Sequence, residues 1–155
     1  MNDKRLAAPI LMAEDDRDDQ LITRKALDQN RVANPLVVVE NGEQVFDYLY
    51  KRGKFAKPGV APRPCLILMD LNMPRMDGRE ALKFLKADPV LRKIPVVVLT
   101  TSKAEEDILK SYDTGANSYI TKPVTFEGLV NVIRSLKTYW LEIVELPPEE
   151  EFANV

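Results

Sequence analysis

"LILMDLNMPRMDG", residues 66–78, decides how this chain is read. Four apolar residues run straight into Asp70, and a turn carrying Pro74 and Gly78 follows at once. An apolar run with no polar alternation reads as a strand of a parallel sheet, buried on both faces by helices. An Asp in a turn is ordinary, because its side chain bonds nearby backbone groups. An Asp at the end of such a strand means more. In open parallel α/β sheets the functional crevice lies at the carboxyl ends of the strands.

The same rhythm recurs on both sides of this stretch. Strands are expected at 9–15 (PILMAED), 35–40 (PLVVVE), 65–70 (CLILMD), 95–100 (PVVVLT) and 117–121 (NSYIT). Helical patterns fill 19–30, 42–52, 78–87, 104–115 and 125–144. Strand and helix in alternation predict an α/β fold: a doubly wound five-stranded parallel sheet with helices on both faces and right-handed crossovers. The expected organisation is one domain over 8–144 with a long final helix, then an acidic tail at 145–155 and no output domain. The connection 51–64 (KRGKFAKPGVAPRP) carries five cations and no acid, and it reads, like the tail, as solvated.

Composition excludes several classes of function. No apolar run reaches the length of a membrane span, and the N-terminus lacks a signal-peptide pattern, so a cytoplasmic protein is expected. The one cysteine, Cys65, has no internal partner for a disulfide and reads as a small buried hydrophobe. A net charge of −2 gives no general attraction for DNA. The chain has no histidine, which removes the usual triads and the common zinc sites.

What remains is acid, lysine and hydroxyl at the strand ends. The first strand ends in Glu14, Asp15 and Asp16, and the third in Asp70. The fourth ends in Thr100 and Thr101, and the fifth in Lys122 before Pro123. Carboxylates gathered at one edge repel, so they raise a pKa or recruit a cation. Hard oxygen ligands in an open cleft suit Mg²⁺, with Asp15 and Asp16 as expected holders beside Asp70. With Lys122 as a second positive charge and Thr100 as a hydroxyl donor, Asp70 reads as a nucleophile toward phosphorus.

These residues resemble the receiver domains of two-component response regulators, over residues 8 to about 138. The resemblance rests on "MAEDD", on Asp70 in "LILMDLNMPRMDG", on Thr100 in "PVVVLTTS" and on Lys122 in "SYITKPV". It implies phosphorylation of Asp70 by a partner histidine kinase, with Mg²⁺ held by Asp15, Asp16, Asp70 and the backbone carbonyl of Asn72, and Mn²⁺ able to substitute. It also implies contact of Lys122 with the phosphoryl group, a cis Lys122–Pro123 bond, and a switch through Thr100, Thr101 and Tyr119. The basic connection and the long last helix are similar to those of stand-alone receivers that partner cyanobacterial phytochromes, which makes a phytochrome an expected kinase.

Two other classes were weighed. Haloacid-dehalogenase phosphatases also use an aspartyl nucleophile but carry a second acid two residues on, where this chain has Asn72. A flavodoxin-like carrier needs a phosphate-cradling loop where this chain has "AEDDRDD". Finally, the last helix shows two apolar stripes. A homodimer is expected through Ile108, Tyr112, Tyr119, Val132, Leu136, Tyr139 and Ile143.

Overall fold

β3 (Leu66–Asp70) is the middle strand of the sheet, and all five of its residues are buried. The structure is a computed structural model, and it describes residues 8–138 apart from Asn72, Pro74, Asp77 and 101–117. β1 (Ile10–Ala13) lies on one side of β3 with β2 (Leu36–Val39) beyond it. β4 (Val96–Thr100) and β5 (Ser118–Thr121) lie on the other side, giving the order β2-β1-β3-β4-β5, all parallel. Four α-helices stand among the described residues: α1 (Arg17–Gln29), α2 (Gly42–Leu49), α3 (Gly78–Ala87) and α4 (Phe126–Leu136).

Period-two alternation divides each strand between two cores. Leu11, Ala13, Ile67, Met69, Val96 and Val98 point to the layer formed by α2 and α3. Ile10, Met12, Leu66, Leu68, Val97 and Leu99 point to the layer formed by α1 and α4. Each helix contributes one stripe, such as Ala81, Leu82 and Leu85 of α3 or Leu129, Val130, Ile133 and Leu136 of α4. Burying one such Leu or Ile stabilises by about 1.5–3 kcal/mol, so Ile133→Ala is a structural lesion and not a surface change.

The expected helix at 78–87 is found with those bounds, and the strands differ from expectation by one or two residues at their ends. Helix starts are fixed by caps: Asn41 accepts from the Gln44 N–H, and Thr125 from the Gly128 N–H. No described helix is long and apolar enough to cross a membrane.

Several expectations are corrected. The connection 51–64 is anchored at points along its length, since Phe55 and Ala61 enter the core. Tyr48 Oη donates to the Pro62 carbonyl at 2.7 Å, and Lys51 Nζ to the Ala61 carbonyl at 2.6 Å. Leu136, expected at an interface, is buried within its own domain, and Val132 is partly buried against the same core. Phe126 is 40% exposed, because it is the first residue after the Thr125 cap. The Lys122–Pro123 bond is not cis, as no cis peptide occurs among the described residues. Trans is the lower-energy state, and Lys122 keeps its N–H bond to the Thr100 carbonyl at 2.7 Å with it. Ile108, Tyr112, Tyr139 and Ile143 lie outside the described residues, as do Asn72, Thr101 and the helix expected at 104–115.

Candidate functional site

At the carboxyl edge of the sheet, β1, β3 and β5 deliver their charges to one point. β1 pairs with β3 in the register Ala13↔Met69, so the next step along both strands sets Glu14 beside Asp70. Both carboxylates are nearly inaccessible, at 1% and 3% exposure. β5 pairs with β4 as Thr100↔Thr121, which brings Lys122 level with the end of β4. The Lys122 ammonium then reaches across the edge. Its Nζ lies 2.6 Å from Glu14 Oε1, 3.0 Å from Asp19 Oδ2 and 3.1 Å from Asp70 Oδ2.

Three carboxylates thus share one ammonium. Burial, with Asp70 adding to it, pushes the Glu14 carboxyl up to about 8 against the opposing effect of Lys122. For Lys122, burial acts to lower the pKa, but the carboxylates of Glu14, Asp70 and Asp19 outweigh it and the net shift is upward. Lysine stays charged here, and the cluster still has an excess of negative charge. A cation or a shared proton relieves it.

The donor set fits a hard divalent cation. One oxygen each from Glu14, Asp15 and Asp70 lie within 4.8 Å of one another, with Asp15 on the exposed side. Carboxylate oxygens on an open rim suit Mg²⁺ or Mn²⁺. Asp16, expected in this set, is elsewhere. Its Oδ1 accepts from the N–H groups of Asp18 at 2.8 Å and Asp19 at 3.1 Å, so it caps α1. The acidic pair at the edge is therefore Glu14 and Asp15. Sequence reasoning set Glu14 at this edge without giving it a part in the metal site, and it missed Asp19. The signal was available for Glu14, because it follows the apolar run of β1 as Asp70 follows that of β3.

Two glycines hold the segment that leaves Asp70. Gly78 N–H donates to the Leu71 carbonyl at 3.0 Å, and Gly42 N–H to the Met76 carbonyl at 2.8 Å. A Cβ on Gly78 would overlap the Asp70 carbonyl oxygen and stand 2.7 Å from Leu71 Cα. Thr100 is fully buried beside this edge, and Tyr119 is half-buried against the α2–α3 core. The structure thus brings Asp15, Asp70, Thr100 and Lys122 to one end of the sheet and sends Asp16 to the helix cap.

A five-stranded parallel sheet of this order, with an acidic rim and a lysine at its carboxyl edge, defines a class, and the comparisons agree with it. The response regulator receiver domain family matches residues 10–134, and this chain belongs to that family. It is 38% identical over 138 residues to response regulator Rcp1 of Synechocystis sp., covering 89% of this chain and 92% of that one. Among solved structures, the phosphorylated cyanobacterial phytochrome response regulator RcpA superposes with a TM-score of 0.80 at 40% identity, covering 91% of this chain and 99% of that one. The Mn²⁺-bound form of Rcp1 superposes with a TM-score of 0.78 at 37% identity, covering 90% and 99%. The chain is thus a response-regulator receiver homologous to phytochrome-associated regulators, and neither the phosphatase nor the flavodoxin-like alternative finds support.

Proposed function

We propose that Asp70 accepts a phosphoryl group from a phosphohistidine on a partner kinase, and that this kinase is a phytochrome. The observation that carries the reading is the position of Asp70: a buried carboxylate at the end of the central strand, 3.1 Å from the Lys122 ammonium. The kinase is inferred from the likeness to RcpA, a cyanobacterial phytochrome response regulator. The chain has no histidine, so the phosphohistidine belongs to another molecule.

In the transfer, an Asp70 carboxylate oxygen forms a bond to phosphorus while the phosphorus–nitrogen bond of the donor breaks. The histidine leaves as neutral imidazole, the electron pair of the broken bond staying on that nitrogen and a proton already on the other ring nitrogen. Lys122 offers its charge to the incoming phosphoryl oxygens, and burial shields Asp70 from bulk water. Glu14, Asp15 and Asp70 would hold Mg²⁺, with Mn²⁺ as a substitute and the Asn72 carbonyl as a further ligand by family likeness. When bound, the metal supplies neutralising charge for the phosphoryl oxygens. The chain is a phosphoacceptor and not an enzyme acting on a separate substrate.

Readout is proposed through Thr100 and Tyr119, with Thr101 next to Thr100 in the sequence. The Thr100 hydroxyl donates to a phosphoryl oxygen, and Tyr119 changes rotamer in response, altering the surface that a partner reads. We further read the protein as cytoplasmic and as a homodimer, the latter from the apolar spacing of Tyr139 and Ile143 with Ile108 and Tyr112.

Acetyl phosphate or an autophosphorylated phytochrome kinase, with Mg²⁺, should label the wild-type chain and leave Asp70→Asn unlabelled. Labelling of that variant at the wild-type level would overturn the reading.

A further inference from the structure

A groove of about 430 Å³ between α2 and α3 lies apart from the carboxylate edge and is lined by aromatic rings. Phe46 forms its floor, stacked on Tyr50 at 6.0 Å and edge-on to Phe84 at 6.2 Å. Tyr50 and Phe84 remain 48% and 49% exposed. Large rings left half in water on neighbouring helices are an apolar patch that calls for an occupant.

The carboxylates at the groove are partnered, whereas the lysines just beyond it are exposed. Glu43 is held by Arg75 at 2.9 Å, Asp47 pairs with Arg52 at 3.4 Å, and Asp88 accepts from Tyr50 Oη at 2.7 Å. Beyond Tyr50 the chain continues into the basic connection, where Lys51, Arg52, Lys54 and Lys57 precede any acid. Lys54 and Lys57 are exposed there. The groove therefore suits an acidic segment carrying an aromatic ring.

The chain itself contains one. Residues 145–155 read ELPPEEEFANV: three consecutive glutamates, then Phe152, with no Lys or Arg after Lys137. Topology places the origin of this segment favourably. α4 ends beside the end of α1, where Lys137 Nζ donates to the Asn30 carbonyl at 2.8 Å. That is the edge at which the strands begin, and the basic connection leads into β3 at the same edge. The sixteen residues from Lys137 to Phe152 can reach about 50 Å when extended, against a domain diameter of about 30 Å.

We propose that the C-terminal segment folds back on its own domain. Phe152 seats among Phe46, Tyr50 and Phe84, and Glu149, Glu150 and Glu151 face Lys51, Lys54 and Lys57. A single exposed ion pair contributes little, but a run of three beside a buried ring, at the high effective concentration of a tether, populates the contact. Salt weakens the charged part. The proposal does not depend on phosphorylation of Asp70.

NMR on the full-length chain tests it, with Phe152→Ala as the variant, because that substitution removes nothing from the folded core described above. The expected result is a set of nuclear Overhauser contacts from the Phe152 ring to the Phe84 and Tyr50 rings. These should be independent of dilution, diminished by high salt, and lost in the variant with shifts confined to α2, α3 and residues 51–57. Unchanged groove resonances in Phe152→Ala overturn the proposal. So do contacts that vanish on dilution or appear between differently labelled copies, which would make the occupant a second molecule.

Discussion

Lys122 Nζ stands 2.6 Å from Glu14 Oε1, the shortest of the three contacts by which this one ammonium holds the acidic edge together. Glu14 is almost wholly enclosed, with a side chain 1% exposed against 22% for Lys122. Removing one partner of a buried pair leaves the other uncompensated. Lys122→Ala should therefore destabilise the metal-free chain by on the order of 3 kcal/mol in urea unfolding. Mg²⁺ should stabilise the variant more than the wild type, since it replaces a missing positive charge. Equal Mg²⁺ shifts in the two proteins would show that lysine and metal do not share these carboxylates.

Neighbouring acids at the end of β1 have different tasks, and substitution should separate them. Asp16→Ala removes the N-cap of α1 and should cost about 1 kcal/mol while leaving Mg²⁺ affinity close to wild type. Glu14→Gln and Asp15→Asn should weaken Mg²⁺ binding by about tenfold or more, the scale at which even outer partners of a metal count. Isothermal titration with Mg²⁺ gives the ranking. A large loss in Asp16→Ala with none in Glu14→Gln would restore the Asp15 and Asp16 pair expected from sequence.

The acids at the end of β1 show where the sequence stops being legible. The strands were readable because a two-faced apolar run such as 66–69 has few other uses, and α3 because its stripe begins and ends cleanly at Gly78 and Ala87. Asp70 was readable for the same reason. Choosing among Glu14, Asp15 and Asp16 needs the register of β1 on β3 and the cap geometry, which three consecutive acids do not encode. Leu136 failed differently. Helical periodicity gives its direction around the helix, but whether that face meets its own sheet or a second molecule depends on where α4 lies.

Gly78 lies against the backbone of the phosphoacceptor strand, so it cannot accept a side chain without moving Asp70 or Leu71. Gly78→Ala should cost about 1–3 kcal/mol as an overpacking lesion and slow labelling by acetyl phosphate. Gly59→Ala is the control. Gly59 has φ +82° with open space around it, so the substitution strains the backbone locally and should leave labelling unchanged. Equal labelling rates in the two variants would count against a role for Gly78 in placing Asp70.

The bond from Tyr50 Oη to Asp88 should give stability two edges in pH. The hydrogen bond from Tyr50, with backbone N–H bonds from Leu91 and Val90, holds Asp88 below its ordinary 3.8. That contribution is present above pH 3.8 and is lost as pH falls through the lowered value. The same bond holds the Tyr50 hydroxyl above its ordinary 10.0, so its contribution is present below that pH and lost as pH rises through the raised value. Urea midpoints of wild type and Tyr50→Phe should differ by a constant amount between these limits and converge outside them. A difference that varies across neutral pH would assign the effect to another group.

Cys65 precedes β3, where its thiol donates to the Ala8 carbonyl at 3.7 Å and receives a weak contact from Asn34 Nδ2 at 3.6 Å. Burial pushes the thiol from 9.0 up to about 11. The thiolate is the reactive form, so two pH units of upward shift cut its population by about a hundredfold at any pH well below both values. Iodoacetamide should alkylate the folded chain about a hundredfold more slowly than the urea-unfolded chain at the same pH, and the ratio should narrow as the pH approaches 11. A folded-state rate that matches the unfolded one would mean that this end of β3 opens readily, since partial enclosure and a raised pKa both act in the same direction. Asn34→Ala removes a neighbour that also donates to the Ala8 carbonyl, at 2.8 Å, and should speed alkylation by loosening that enclosure.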